Sequence, residues 1–174
     1  MGRDRGGRRA GRALVRVQGL LGPDAVLTGV PGGGRGPADR VHLVPWGDEH
    51  PPVDAGAPWP GRLPAPSPSR VPPVPVPAEV LDDTGRPVGV SGRAVLTGTP
   101  HRVAVDGRPP RRVLSWAGPW PVTERWWDSD GGRRCARVQA VLDVEPGPRG
   151  STGQLLAVLL ACEAGRWRVE GIYE

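Results

Sequence analysis

The chain has 174 residues, of which Gly (27) and Pro (23) together exceed a quarter, and only 37% are hydrophobic. That composition leaves room for one small core-bearing domain and a good deal of irregular chain, not for two full domains. The formal net charge is +5, and residues 1–12 alone contribute +4 of it, through Arg3, Arg5, Arg8, Arg9 and Arg12 against Asp4. Every basic residue is Arg, and Lys and Asn are absent. With so much Gly, Ala, Pro and Val, this usage reflects GC-rich codons and points to a high-GC bacterial genome.

No apolar stretch follows the N-terminal arginines before the Gly22-Pro23-Asp24 break, so a secretory leader is not expected. The longest apolar run, Leu155 to Cys162, is far short of the ~18 residues that span a bilayer. Cys135 and Cys162 are too few for a disulfide scaffold. They are expected to be reduced thiols of a cytoplasmic protein.

In chain order, residues 1–50 read as a basic arm followed by a short α+β fragment. Arg3, Arg5, Arg8, Arg9 and Arg12 make the arm a candidate for salt-sensitive phosphate contact, against the plainer reading of a solvated, unstructured terminus. From Ala10 to Leu21 the apolar residues Leu14, Val17 and Leu20/Leu21 recur every three to four positions, predicting a short helix. Gly22-Pro23 stops it. Two short strands are expected at Ala25–Val30 and Arg40–Val44, around a flexible glycine-rich turn. Such a fragment is too small to bury a core alone.

Residues 51–77 carry eleven prolines. Proline fixes φ and removes a backbone donor, so an extended linker of polyproline type is expected. Pro72 to Pro75 also fits a P-x-x-P ligand, whose partner domains are not a bacterial default.

Residues 78–174 predict a tryptophan-rich antiparallel β domain, so the fold class is mainly β, a small sheet or barrel. Short strands are expected at Glu79–Leu81, Pro87–Val90, Ala94–Thr97 and Arg102–Val105. The Asp106-Gly107 turn leads into Arg111–Trp116. Arg137–Val144 alternates, with Val138, Ala140, Leu142 and Val144 on one face. Leu155–Cys162 is continuously apolar, as a strand covered on both faces would be. Glu163-Ala164-Gly165 should close a final hairpin, in which Trp167, Val169, Gly171 and Tyr173 share a face.

No catalytic, cofactor or metal set emerges, and no cofactor is expected. Gly32–Gly36 lacks the lysine and helix start of a phosphate cradle. Asp128-Ser-Asp130-Gly-Gly132 opens like a calcium loop, but Gly132 and Gln139 stand where oxygen ligands are needed. His42, His50 and His101 are scattered, and the cysteines have no zinc spacing.

Phe is absent and Tyr173 is the sole tyrosine, so seven tryptophans supply the aromatic area. Trp116, Trp126 and Trp167 are expected in the core. Trp126 and Trp127 are adjacent and would face opposite ways on a strand, leaving one exposed. Trp120, Arg125, Trp126 and Trp127 are therefore the candidate partner-binding residues. Base stacking is the alternative, disfavoured because Glu124 and Asp128 bracket the pair and would repel phosphate.

The stretch Gly118-Pro-Trp-Pro-Val-Thr-Glu-Arg-Trp-Trp-Asp128, with Arg166-Trp-Arg-Val-Glu-Gly-Ile-Tyr-Glu174, resembles the C-terminal end of the actinobacterial ImuB family, Y-family polymerase homologues of a mutagenesis complex. Val15–Val26, Arg40–Asp48 and Ala57–Pro64 resemble the same family's region after its little-finger domain. The resemblance implies a non-catalytic protein-interaction module in translesion synthesis. It implies as partners an error-prone DnaE-type polymerase and an ImuA-like accessory protein. The polymerase domains have no counterpart here, so no polymerase carboxylate is carried over. Sliding-clamp binding is not carried over either, because His42-Leu-Val-Pro-Trp46 has Pro45 where the family's Gln-Leu-x-Leu-Trp peptide has its anchoring leucine. A nucleic-acid-binding module using the arginine arm and exposed Trp is the other function considered.

Overall fold

A computed structural model of the chain describes residues 3–49, 63–124, 127, 132–143 and 155–173. The chain divides into two units, one comprising Met1–Gly34 and Ala38–Ala57, the other Arg35–Pro37 and Pro58–Glu174.

The first unit is a helix and a two-stranded sheet. Helix α1 spans Arg3–Leu21, one and a half turns or more longer at its start than the periodicity predicts. The basic arm is thus helical, not unstructured. Gly22 ends it at φ 95°, its N–H donating to the Gln18 carbonyl at 2.9 Å, and Pro23 prevents continuation. Strands β1 (Leu27–Pro31) and β2 (Val41–Pro45) pair antiparallel, Leu27 opposite Pro45 and Pro31 opposite Val41. The glycine-rich connection is less free than its composition implies. A Cβ at Gly32 would collide with the Asp39 carbonyl and the His42 ring, and one at Gly34 with the Asp39 side chain. Close approach, not flexibility, calls for glycine there.

The second unit is a closed six-stranded antiparallel barrel of β3 (Val76–Leu81), β4 (Arg102–Val105), β5 (Arg111–Glu124), β6 (Arg133–Asp143), β7 (Leu155–Glu163) and β8 (Arg166–Tyr173). Chain neighbours pair in order, and β3 meets β8 from Val76 opposite Val169 to Ala78 opposite Trp167. Closure is incomplete along β5, which β4 pairs only at Arg111 and Arg112, so that from Leu114 to Glu124 its other edge has no strand partner among the described residues. Both predicted turns form: Asp106 and Gly107 have φ of 54° and 67°, Ala164 and Gly165 of 49° and 75°, the double positive φ of a tight hairpin.

Period-two alternation fills the interior with Val103, Val113, Val138, Ala140, Leu142, Val158, Leu160, Cys162, Trp167 and Val169. Trp167 closes one end, its indole N–H donating to the Val88 carbonyl at 2.6 Å. A bulge between Leu159 and Leu160 shifts the register of β8, so that Ile172, and not Gly171 or Tyr173, follows Val169 against the core.

The expected strands at Pro87–Val90 and Ala94–Thr97 do not form. Only the single bridges Leu81–Pro87 and Val90–Leu96 remain. Here Thr97 Oγ1 accepts from the Gly89 N–H at 2.8 Å and Ser91 Oγ from the Val95 N–H at 3.2 Å. Side-chain-to-backbone bonds of this kind supplement the few backbone bonds that remain, such as Ser91 N–H to the Val95 carbonyl at 2.8 Å and Thr97 N–H to the Gly89 carbonyl at 3.0 Å. Within the proline-rich region, Arg70 pairs with Ile172 through bonds of 3.1 and 2.8 Å, and Pro68 lies where a Cβ on Gly171 would have to go.

Candidate docking surface

The outward face of β6–β8 is buried as well, and it carries charge. By parity with Ala136 and Val138, which face inward, Cys135, Arg137 and Gln139 face outward, with Leu159 and Ala161 of β7 beside them. Arg137 is 2% exposed. Its Nε donates to Glu170 Oε2 at 2.7 Å, and Glu170 Oε1 lies 3.6 Å from Arg133. Arg133 Nε in turn donates to Glu163 Oε1 at 2.9 Å, which holds the guanidinium pKa above its ordinary value. Gln139 donates to Tyr173 Oη at 2.7 Å. This network ties three strands across the face, and nothing in the sequence spacing announced it.

The two thiols are free and buried on opposite faces of the wall, Cys162 inward and Cys135 outward. Burial raises the pKa of both, so neither is an activated nucleophile. Among the described residues, no three His, Cys, Asp or Glu side chains gather where they could hold a metal ion. His101 is half-buried and its backbone is tied into the fold, the N–H donating to the Leu81 carbonyl and the carbonyl accepting from the Val113 N–H. A groove of about 520 Å³ opens where β3 diverges from β8, with Val80, Val88 and Trp167 at its base and Glu79, Arg166 and Arg168 at its rim. It presents no paired acid and base.

Exposed large apolar side chains follow β5 instead. Leu114 is the extra residue of the bulge between Val113 and Ser115 and is 46% exposed. Trp116 is 39% exposed, which corrects its expected place in the core. By register it lies opposite Ala140 on the inward side of the sheet, and it is exposed where β4 no longer covers β5, whose pairing with β4 ends at Arg112. Trp167 alone of the three expected core tryptophans is seen buried, at 6%. Trp120 is half-buried opposite Arg137, beyond Gly118, whose φ of 114° and 2.8 Å Cβ approach to the Arg137 carbonyl exclude a side chain.

Trp127 sits in the turn after β5, not on a strand, and is 72% exposed. Arg125 and Trp126 lie outside the described residues. The tryptophans therefore do not gather into one patch. From Trp116 to Glu124 the extended chain runs roughly 26 Å, so Leu114, Trp116, Trp120 and Trp127 are spread along β5, with Trp116 (opposite Ala140) and Trp120 (opposite Arg137) on opposite faces of the sheet.

The candidate phosphate contacts lie elsewhere, on α1, whose backbone includes Arg3, Arg5 and Arg8 and on which Arg9 and Arg12 are exposed. No described helix is long and apolar enough to cross a membrane. Set against protein-family models, curated proteins and solved structures, the chain matches none.

Proposed function

We propose that the chain is a non-catalytic docking module of a translesion-synthesis assembly, cytoplasmic and bound to an error-prone DnaE-type polymerase and an ImuA-like accessory protein. The observation that carries the docking half of this reading is the exposure of Leu114, Trp116 and Trp127 along and just after β5 of the barrel. Large aromatics are costly to leave in water and are the residue type that anchors protein interfaces. The choice of assembly rests on the resemblance of Gly118–Asp128 and Arg166–Glu174 to ImuB-type C-termini.

The test is binding of the full chain to the two purified partners by calorimetry. Trp127→Ala should weaken the productive interaction at least about tenfold, the effect of losing a hot-spot anchor. No binding to either partner by the wild-type chain would overturn the reading.

A further inference from the structure

We infer that α1 is a preformed binding surface for the phosphodiester backbone of a nucleic acid, a role independent of the docking reading for the barrel. Six arginines, Arg3, Arg5, Arg8, Arg9, Arg12 and Arg16, stand on this helix against Asp4 alone. That balance of +5 equals the net charge of the whole chain, so the remaining residues are neutral in sum.

Helical geometry aligns the charge. At about 100° per residue, positions 5, 8, 9, 12 and 16 fall within an arc of about 100°, while position 3 falls on the far side. The opposite face is the one that packs. Of residues 9–21 only Gly11, Leu14 and Gln18 are sheltered. A Cβ on Gly11 would stand 3.4 Å from the Trp46 ring, and the Gln18 amide donates to the Trp46 and Pro23 carbonyls at 3.1 Å each. The helix is thus clamped to the β1–β2 sheet by one side, which leaves Arg9, Arg12 and Arg16 on the exposed side. Arg9, Arg12 and Arg16 are exposed and have no acidic partner among the described residues.

The placement works against the helix itself. Arginines three and four apart repel, and cations in the first turns oppose the positive end of the helix dipole. A polyanion reverses both penalties. From position 5 to position 16 the stripe runs roughly 16 Å along the axis, a length over which a duplex presents about ten phosphate charges. An anionic membrane is the poorer fit, because lying in an interface requires a long apolar face opposite the charge: opposite the stripe Leu14 is sheltered, and the exposed Val17, Leu20 and Leu21 are confined to the last turns of the helix.

The full chain should bind a labelled mixed-sequence DNA of about 30 nucleotides, single- or double-stranded, with affinity that falls steeply as salt rises. The triple variant R9Q/R12Q/R16Q, in residues of similar helix propensity, should lower the slope of log K against log salt by about 2–3. R9K/R12K/R16K should bind like the wild type. R93Q/R108Q/R112Q removes the same charge from exposed barrel positions and should leave the slope unchanged. Equal loss in both glutamine variants, failure of the lysine variant, or tighter binding to vesicles of about one-third anionic lipid than to DNA would each overturn the proposal. Loss of barrel docking through Trp127→Ala would leave it standing.

Discussion

The two units hold their elements together by different means. The barrel buries a continuous interior in which Val103, Leu142 and Leu160 have no exposed surface at all. Among its described residues the N-terminal unit buries one apolar side chain, Val30, and leaves Leu20, Leu21, Leu27, Val41 and Leu43 between 43% and 75% exposed. By register, Leu27, Gly29 and Pro31 share a face of the small sheet with Pro45, Leu43 and Val41, and that face is uncovered. Lacking a core, the unit relies on polar ties such as Gln18 and on the Gly11–Trp46 contact. Cohesion in the barrel is therefore hydrophobic and cooperative, and in the N-terminal unit local and additive.

The largest expected effect tests the charged exception to that rule. Glu170→Ala would leave Arg137 buried without its counter-charge and should cost about 3–5 kcal/mol in urea unfolding. Replacing the pair, as R137M/E170L, should recover most of that loss, since a buried ion pair repays its desolvation poorly. If Glu170→Ala proves neutral, the outer face is wetter than its burial shows. Next in size, Leu142→Ala should cost about 2–5 kcal/mol by opening a cavity in the interior. Leu20→Ala, at a position 75% exposed, should change stability by no more than about 0.5 kcal/mol. Comparable losses at the two positions would erase the contrast between the units.

What the sequence made readable follows the same division. Leu155–Cys162 announced a strand covered on both sides, and β7 has Val158, Leu160 and Cys162 inside with Leu159 and Ala161 buried outside. Asp106-Gly107 and Ala164-Gly165 declared their hairpins through turn chemistry. Apolar period and turn residues are local signals, and they served where folding is locally decided.

They did not serve where a distant partner decides. Gly118-Pro119 looked like the end of a strand, yet β5 continues through it by a register shift against β6. The arginine run from Arg3 to Arg12 looked like a solvated, unstructured arm, because repelling charges disfavour a helix, yet α1 begins at Arg3. The Arg137–Glu170 pair joins residues 33 apart across an intervening strand, a relation no spacing rule contains. Of the candidate docking residues, adjacency of Trp126 and Trp127 suggested that one is exposed. The exposure along β5 depends on where its pairing with β4 ends, which the sequence does not mark.

A smaller effect probes the ties of the N-terminal unit. Gln18→Ala removes the amide that reaches Pro23 and Trp46 and should cost about 1 kcal/mol of local stability. Amide hydrogen exchange in α1 should accelerate several-fold in proportion. Unchanged exchange there would mean that the Gly11–Trp46 contact suffices to hold the helix.

The smallest effect lies at the rim of the barrel, in the turn after β3. Asp82 Oδ1 accepts from Thr84 Oγ1 at 2.7 Å, from the Arg86 N–H at 2.8 Å and from the Thr84 N–H at 2.9 Å. These bonds, the Thr84 hydroxyl first, hold its carboxyl below the usual Asp value. A folded pKa below the unfolded one contributes stability that is complete above the unfolded value, near 3.9, and is lost as pH falls through the folded value. Stability from this turn should therefore be flat from neutral pH down to about 5 and decline only in stronger acid. Thr84→Val removes the principal donor, so an NMR titration of the Asp82 carboxyl carbon should move up towards the ordinary value. Because Asp82 is fully solvated, the accompanying change in global stability should be slight. An Asp82 titration indifferent to Thr84 would show that the backbone donors alone set the turn.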